Sequence, residues 1–325
     1  MIMNSTKTAL VTGSTSGLGY EAAIHLANEG FGRIVVTGRS NEKATTAARA
    51  LAEQTGMDVF HPLALDLNDG PSVRDAIANL AADEHQIDAL LLNAGLVGGS
   101  DLTRTEENIE ITFAASLIGH HRLTIGLLDG DLLAPEARIV IAGSEAARGD
   151  VPTFTPVDLP SYAEKNFAGD LEAAAQSLIR HDGPLKYKPA AVYATAKLFV
   201  AWWASSLAEQ LPAGMTVNAV SPGSAPGTEA GRNANFFMRH VMMPLMKHAP
   251  KRLGMAAPVS VAAERYVTAM RFNPTITGQF YASAPKKMIG PLHRVVLPHV
   301  QDVKSRDAAW NAVGAVAMSD TTQAA

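Results

Sequence analysis

The sequence predicts an α/β protein: a doubly wound, mostly parallel sheet in a single domain that carries insertions. Three observations lead there. Short runs rich in Val, Ile and Leu alternate with longer helical stretches through the first two thirds of the 325-residue chain. Those runs are apolar throughout instead of alternating with polar residues, as strands buried on both faces are. A glycine-rich turn also follows the first run directly, where such sheets bind ligands at the carboxyl ends of their strands.

The elements follow in order. Residues 8–12 (TALVT) read as a strand, and 17–29 as a helix closed near Gly30. Residues 33–37 (RIVVT) form the second strand and 41–54 the second helix. Strand 59–67, helix 70–82 and strand 89–93 (ALLLN) come next. A long helix is expected over 105–128, then strand 138–142 (RIVIA), helix 189–211 and strand 216–220 (TVNAV). Helix 259–270 and strand 279–282 close the pattern. Parallel neighbours require crossovers, and these turn right-handedly. Three segments break the rhythm: an insertion over 149–188, a Met- and Phe-rich stretch within 224–258, and a C-terminal extension over 284–325. In the extension, 302–313 reads as a short docking helix and the last eight residues as disordered. No linker or repeat divides residues 1–325, so one domain is expected.

Composition bounds the partners. Hydrophobic residues make up 47% and charged residues 18%, which suits a sizeable core and excludes a mainly disordered chain. The formal net charge of −4 gives no basic surplus for nucleic acid. Cysteine is absent, which excludes disulfides and thiolate chemistry and suits a reducing compartment. The N-terminal residues MIMNSTKTALVTGS lack the order of a secretory signal. No apolar run is long enough to span a bilayer. A cytoplasmic protein is expected.

The turn after the first strand reads Thr12-Gly13-Ser14-Thr15-Ser16-Gly17-Leu18-Gly19. Gly13 permits the sharp turn, Gly17 lets backbone approach a pyrophosphate, and Gly19 lets helix and sheet close up. The helix start then offers free N–H groups and a positive dipole end. Its Gly-x-x-x-Gly-x-Gly spacing resembles that of the short-chain dehydrogenase/reductase family, and the resemblance extends over about residues 8–283. It implies a Rossmann fold and a nicotinamide dinucleotide. The second strand runs into Gly38-Arg39-Ser40, with Gly38 at the place where an acidic residue would take the NAD ribose. A guanidinium pairs with a 2′-phosphate that a carboxylate would repel. NADP is therefore expected over NAD, with Ser40 assisting Arg39. The resemblance places Asp66, before Leu67, at the adenine amino group. A cap on the following helix is the alternative for Asp66. The resemblance also puts Asn93-Ala94-Gly95 along the cofactor, Pro222-Gly223 behind the nicotinamide, and Thr228 near its amide or phosphates.

Tyr193 and Lys197 are four residues apart in YATAK, on one helix face. An ammonium beside a phenol favours phenolate and brings the tyrosine towards the range of general acid–base work. Ser144, after RIVIAG, matches the family's serine that hydrogen-bonds the reacting oxygen. Gly143 stands where many relatives carry another serine. Ser116 occupies the place of the family's relay asparagine in Ala115-Ser116-Leu117-Ile118-Gly119-His120-His121. His120 and His121 are read as structural, and no cluster has metal-ligand spacing.

The expected reaction is hydride exchange with a carbonyl or alcohol of an apolar substrate, covered by a lid around Phe236, Phe237, Met238 and Met242. The extension and the Trp310 segment look closest to the retinol dehydrogenase and protochlorophyllide reductase branch. Two alternatives stay open: a cofactor-binding regulator or redox sensor without strong catalysis, and a sugar-nucleotide epimerase. Trp202 and Trp203 suggest a helix packed between subunits of a homodimer or homotetramer. Peripheral membrane contact through the Met-rich stretch is a further alternative.

Overall fold

The computed structural model describes residues 6–225 and 256–319. Eight strands form one sheet in the order β3-β2-β1-β4-β5-β6-β7-β8. They are β1 (Thr8–Val11), β2 (Arg33–Gly38), β3 (Phe60–Ala64), β4 (Ile87–Leu92), β5 (Leu133–Ala142), β6 (Thr216–Val220), β7 (Gln279–Ala282) and β8 (His293–Arg294). Pairing is parallel from β3 through β7, and β8 adds antiparallel to β7.

Strand residues supply the two cores alternately, because successive side chains point to opposite faces. Leu10 and Leu90 enter one apolar cluster, and Ala9, Val11 and Leu91 the other. Helices α1 (Gly17–Asn28) and α2 (Asn41–Thr55) cover the second face, while α3 (Gly70–Ala82) covers the first. The strand order reverses between β1 and β4, which opens a crevice at their carboxyl ends.

The long helix expected over 105–128 is broken. It starts only at α4 (Ile111–Phe113), passes through a π-helical turn (Ala114–Ile118) and continues as α5 (Gly119–Asp129). Glu110 sets the start, since its buried carboxylate accepts from the N–H groups of Thr112 (2.8 Å) and Phe113 (3.1 Å). A capping carboxylate ends any helix upstream of it. The insertion contains two helices, α6 (Leu159–Asn166) and α7 (Leu171–Arg180), ahead of α8 (Pro189–Ala208). Helix α9 (Val259–Met270) packs on α1.

The extension is more ordered than its composition suggests. It supplies β8 and a helix, α10 (Val303–Met318), longer than the one expected over 302–313. Helix α10 packs on α7 and α8. This overturns the reading of Trp202 and Trp203 as subunit contacts. Both are buried within the chain, at 2% and 1% exposure. Trp202 Nε1 donates to the His299 carbonyl at 3.0 Å, and Trp203 Nε1 to His121 Nδ1 at 3.1 Å. The chain's own tail satisfies the Trp202 indole, and His121 of α5 satisfies that of Trp203. Among the described residues no helix is long and apolar enough to cross a membrane.

Candidate active site

A crevice of about 540 Å³ runs along the carboxyl ends of β1, β2, β4, β5 and β6. Its near wall is the glycine turn. Gly13 and Gly17 take left-handed backbone, with φ of +64° and +61°, where a side chain would be strained. A Cβ on Gly19 would lie 2.5 Å from both Asn93 Nδ2 and the Gly13 carbonyl oxygen. Asn93 Nδ2 instead donates to the Thr12 carbonyl at 2.9 Å and ties β4 to the turn. Ser16 caps α1 by position, yet its side chain makes no capping hydrogen bond, which leaves the first N–H groups facing the crevice.

The turn residues divide into two groups. Gly13, Thr15, Ser16, Gly17 and Leu18 line the crevice. Ser14 points inward instead: its hydroxyl donates to the Val11 carbonyl (2.8 Å) and accepts from Thr37 N (2.8 Å). Ser14 and Gly19 shape the turn from behind.

At the β2 end, Arg39 lines the crevice together with Lys43, a second cation one helical turn onward. The sequence reading missed Lys43; its position in the first turn of a helix opening at Ser40 was the available signal. A Cβ on Gly38 would sit 2.8 Å from Ala44 N and 3.0 Å from Thr15 Cγ2. The close approach of α2 therefore bars any carboxylate there. Ser40 is the N-cap of α2, accepting from Lys43 N at 3.4 Å, so its hydroxyl is used in capping. Asp66 and Leu67 line the crevice. Asp66 Oδ1 accepts from Asn68 N at 3.0 Å, a local turn that leaves the N-cap of α3 to Asp69. Asn93, Ala94 and Gly95 form the opposite wall, and Pro222 the far end. Gly223 has left-handed backbone, φ +79°. Thr228 and the proposed lid residues Phe236, Phe237, Met238 and Met242 lie outside the described residues.

The opposite end is built from β5 and α8. Tyr193 and Lys197 both line the crevice, with Lys197 Nζ 5.8 Å from the phenol ring centroid. Lys197 is 4% exposed and donates to the Ala142 carbonyl at 2.7 Å. Burial pulls its pKa down to about 8. Ser144 opens a short 3₁₀ helix (Glu145–Arg148), accepting from Ala146 N at 3.2 Å. Its hydroxyl also interacts with the Tyr193 phenol, which favours phenolate.

The expected lowering of the Tyr193 pKa by Lys197 is not found. Burial raises the phenol above its ordinary value, Ser144 counteracts, and the Glu145 carboxylate adds to the rise. The ammonium is engaged with the Ala142 carbonyl instead of the phenol oxygen. Gly143 is explained by Phe280: a Cβ there would approach the ring to 2.8 Å, leaving no room for a second serine.

Ser116 falls inside the π turn. Among the described residues its buried hydroxyl has no hydrogen-bond partner. A Cβ on Gly95 would lie 3.0 Å from Ser116 Oγ and 3.6 Å from Lys197 Nζ, so the two polar groups flank the same glycine. His120 Nε2 pairs with Thr12 Oγ1 at 2.9 Å and Nδ1 with the Ser116 carbonyl at 3.2 Å. Burial pulls its pKa to about 3, so it is a neutral brace between β1 and the π turn. Tyr266 of α9, which sequence reasoning passed over, also lines the crevice near Pro222.

A glycine cradle, an open helix start, paired cations at one end and an orphaned hydroxyl beside a buried lysine fit a nicotinamide dinucleotide. Residues 7–156 match the short chain dehydrogenase family model. The chain is 30% identical over 228 residues to human retinol dehydrogenase 13, covering 70% of this chain and 61% of that protein. The chain belongs to the short-chain dehydrogenase/reductase family. A chloroplastic protochlorophyllide reductase of Chlamydomonas reinhardtii is 35% identical over 142 residues, 42% of this chain and 35% of that protein. A crystal structure of an actinorhodin polyketide ketoreductase variant with NADPH superposes with a TM-score of 0.63 at 23% identity, covering 86% of this chain and 95% of that one. That likeness shows the shared fold. The alignment with retinol dehydrogenase 13 spans less than two thirds of that relative's length.

Proposed function

We propose that this family member is an NADP-dependent oxidoreductase acting on a carbonyl or alcohol carbon of an apolar substrate. Tyr193 and Lys197 at one end of a dinucleotide-sized crevice, with Ser144 beside the Tyr193 phenol, carry the reading. The nicotinamide, when bound, supplies or accepts the hydride. In the reducing direction Tyr193 gives its phenolic proton to the substrate oxygen as charge builds there, and Ser144 donates a hydrogen bond to the same oxygen. A phenol held above its ordinary pKa stays protonated at neutral pH, as a proton donor must. Lys197 holds the nicotinamide ribose, with Ser116 supplying a further hydroxyl beside it. Gly13, Thr15, Ser16 and Gly17 cradle the pyrophosphate, Asp66 takes the adenine, and Pro222-Gly223 backs the nicotinamide.

Arg39 and Lys43 support NADP over NAD, since two cations favour a 2′-phosphate and Gly38 admits no competing acid. Leu96 and Val97 at the crevice and the Phe154 ring, 5.8 Å from that of Tyr193, support an apolar substrate, as does the name of retinol dehydrogenase 13. Tyr193→Phe should bind NADP as wild type does and lose NADPH oxidation across a panel of lipophilic aldehydes and ketones. Turnover retained by that variant overturns the assignment, and equal affinity for NADPH and NADH overturns the cofactor preference.

A further inference from the structure

A second group of buried charges begins one residue beyond Ser144. Glu145 is 1% exposed. Its carboxylate accepts from the Ser221 hydroxyl, from Ser283 N at 3.1 Å and from Ser283 Oγ at 2.9 Å. Arg265 Nη1 lies 3.6 Å away. The guanidinium also donates to the Ser221 carbonyl (3.1 Å), Ser283 Oγ (3.1 Å) and the Gly290 carbonyl (2.5 Å).

These residues come from three strand ends and one helix. Glu145 follows β5, Ser221 follows β6 and leads into Pro222-Gly223, Ser283 follows β7, and Arg265 projects from α9. A Cβ on Gly223 would lie 2.8 Å from Arg265 Nη1, so the guanidinium is packed against that turn. Arg148, at the end of the same 3₁₀ helix, extends the network through Asp150 (2.9 Å) and the carbonyls of Ala284 (3.2 Å) and Lys287 (2.9 Å). The turn behind the crevice is anchored too: Ser224 N donates to Met288 O at 2.7 Å, and Ala257 N to Ser224 O at 2.9 Å.

A buried carboxylate is costly unless every acceptor is used and a cation is near. Here both conditions are met, at the one place where the serine that faces Tyr193 and the turn behind the nicotinamide must hold a fixed separation. We propose that Glu145 is a positioning residue: through Arg265, Ser221 and Ser283 it locks the ends of β5, β6 and β7 so that Ser144, Tyr193 and the Pro222-Gly223 turn converge on one reacting centre. This rests on the oxidoreductase reading above. The charge also reaches the phenol. The ionisable groups around Tyr193 are Lys197 on its own helix, Glu145 from the 3₁₀ turn, and Tyr266 from α9 beside Arg265; Glu145 and burial oppose phenolate.

The test compares Glu145→Gln, which keeps size and removes charge, with Glu145→Asp, which keeps charge and shortens the reach. Ionisation of Tyr193 is followed by NMR of ring-labelled tyrosine, with Tyr193→Phe assigning the resonance; no substrate is needed. The phenol pKa should fall in Glu145→Gln and stay near wild type in Glu145→Asp. Both variants should lose kcat, by about 10²-fold where alignment fails, while KM for NADPH changes far less. A lowered melting temperature with phenol titration and kcat both unmoved would overturn the proposal. Should wild type turn over no carbonyl while the phenol still responds to Glu145→Gln, the oxidoreductase reading fails and the coupling of Glu145 to Tyr193 stands.

Discussion

The two ends of the crevice are made of different materials. The glycine-turn end, where the proposal puts the dinucleotide, is mostly backbone: left-handed glycines, an uncapped helix start, and places where a Cβ would collide. Its cations, Arg39 and Lys43, are exposed at the rim. The Tyr193 end, the proposed reacting end, is made of buried polar side chains from distant parts of the chain, with Lys197 at 4% and Glu145 at 1% exposure and His120 wholly buried. Backbone sites fail when anything is added. Side-chain sites fail when a charge or hydroxyl is removed.

That contrast orders the predictions. The largest effect belongs to the reacting end: Tyr193→Phe should reduce turnover by about 10²–10⁴-fold, the usual worth of a positioned proton donor, with NADP affinity unchanged by titration. At the other end, Gly19→Val should abolish measurable dinucleotide binding, because its Cβ would meet Asn93 Nδ2 and the Gly13 carbonyl at 2.5 Å. If Gly19→Val binds NADP normally, the backbone description of that end is wrong. Arg39→Ala should weaken NADP by about 10- to 100-fold, as loss of a charge-assisted hydrogen bond does, and leave NAD affinity alone. Equal losses for both cofactors would remove the 2′-phosphate from the account.

Two smaller effects sharpen the comparison. Buried His120 and His121 have pKa values near 3 and 4, below the ordinary 6.5. The unfolded chain therefore takes up protons first as pH falls, so stability is complete above about pH 6.5 and is lost on acidification towards pH 4. Each histidine contributes a slope of about 1.4 kcal/mol per pH unit within that window. Melting temperature followed against pH should show this decline, and His121→Asn should flatten it. Ser116→Ala should change stability by no more than about 0.5 kcal/mol, since its hydroxyl has no partner among the described residues. A large loss would mean that the hydroxyl bonds a group within the fold.

The same contrast explains what could be read from the sequence. Strand positions, the glycine turn, Arg39 and the Tyr193–Lys197 pair are written in consecutive or near-consecutive residues, and local pattern exposes them. Glu145, Arg265, Ser221 and Ser283 come together only through sheet topology, so no spacing announces them. The inward turn of Ser14 depends on two hydrogen bonds and the capping use of Ser40 on one. The break at Glu110 went unread because a capping glutamate within an amphipathic run looks like any helical surface residue. The tail misled for a related reason: Trp202 and Trp203 do need an apolar partner, and composition alone could not say that α10 and the residues before it provide one.

The central claim is that Tyr193 protonates a carbonyl oxygen held against the nicotinamide end of this crevice. Deuteride transfer tests it most directly: NADPH deuterated at C4 is incubated with lipophilic ketones and the alcohols are examined by mass spectrometry. The account predicts deuterium at the carbinol carbon with wild type and none above background with Tyr193→Phe. Equal incorporation by the two proteins would contradict it.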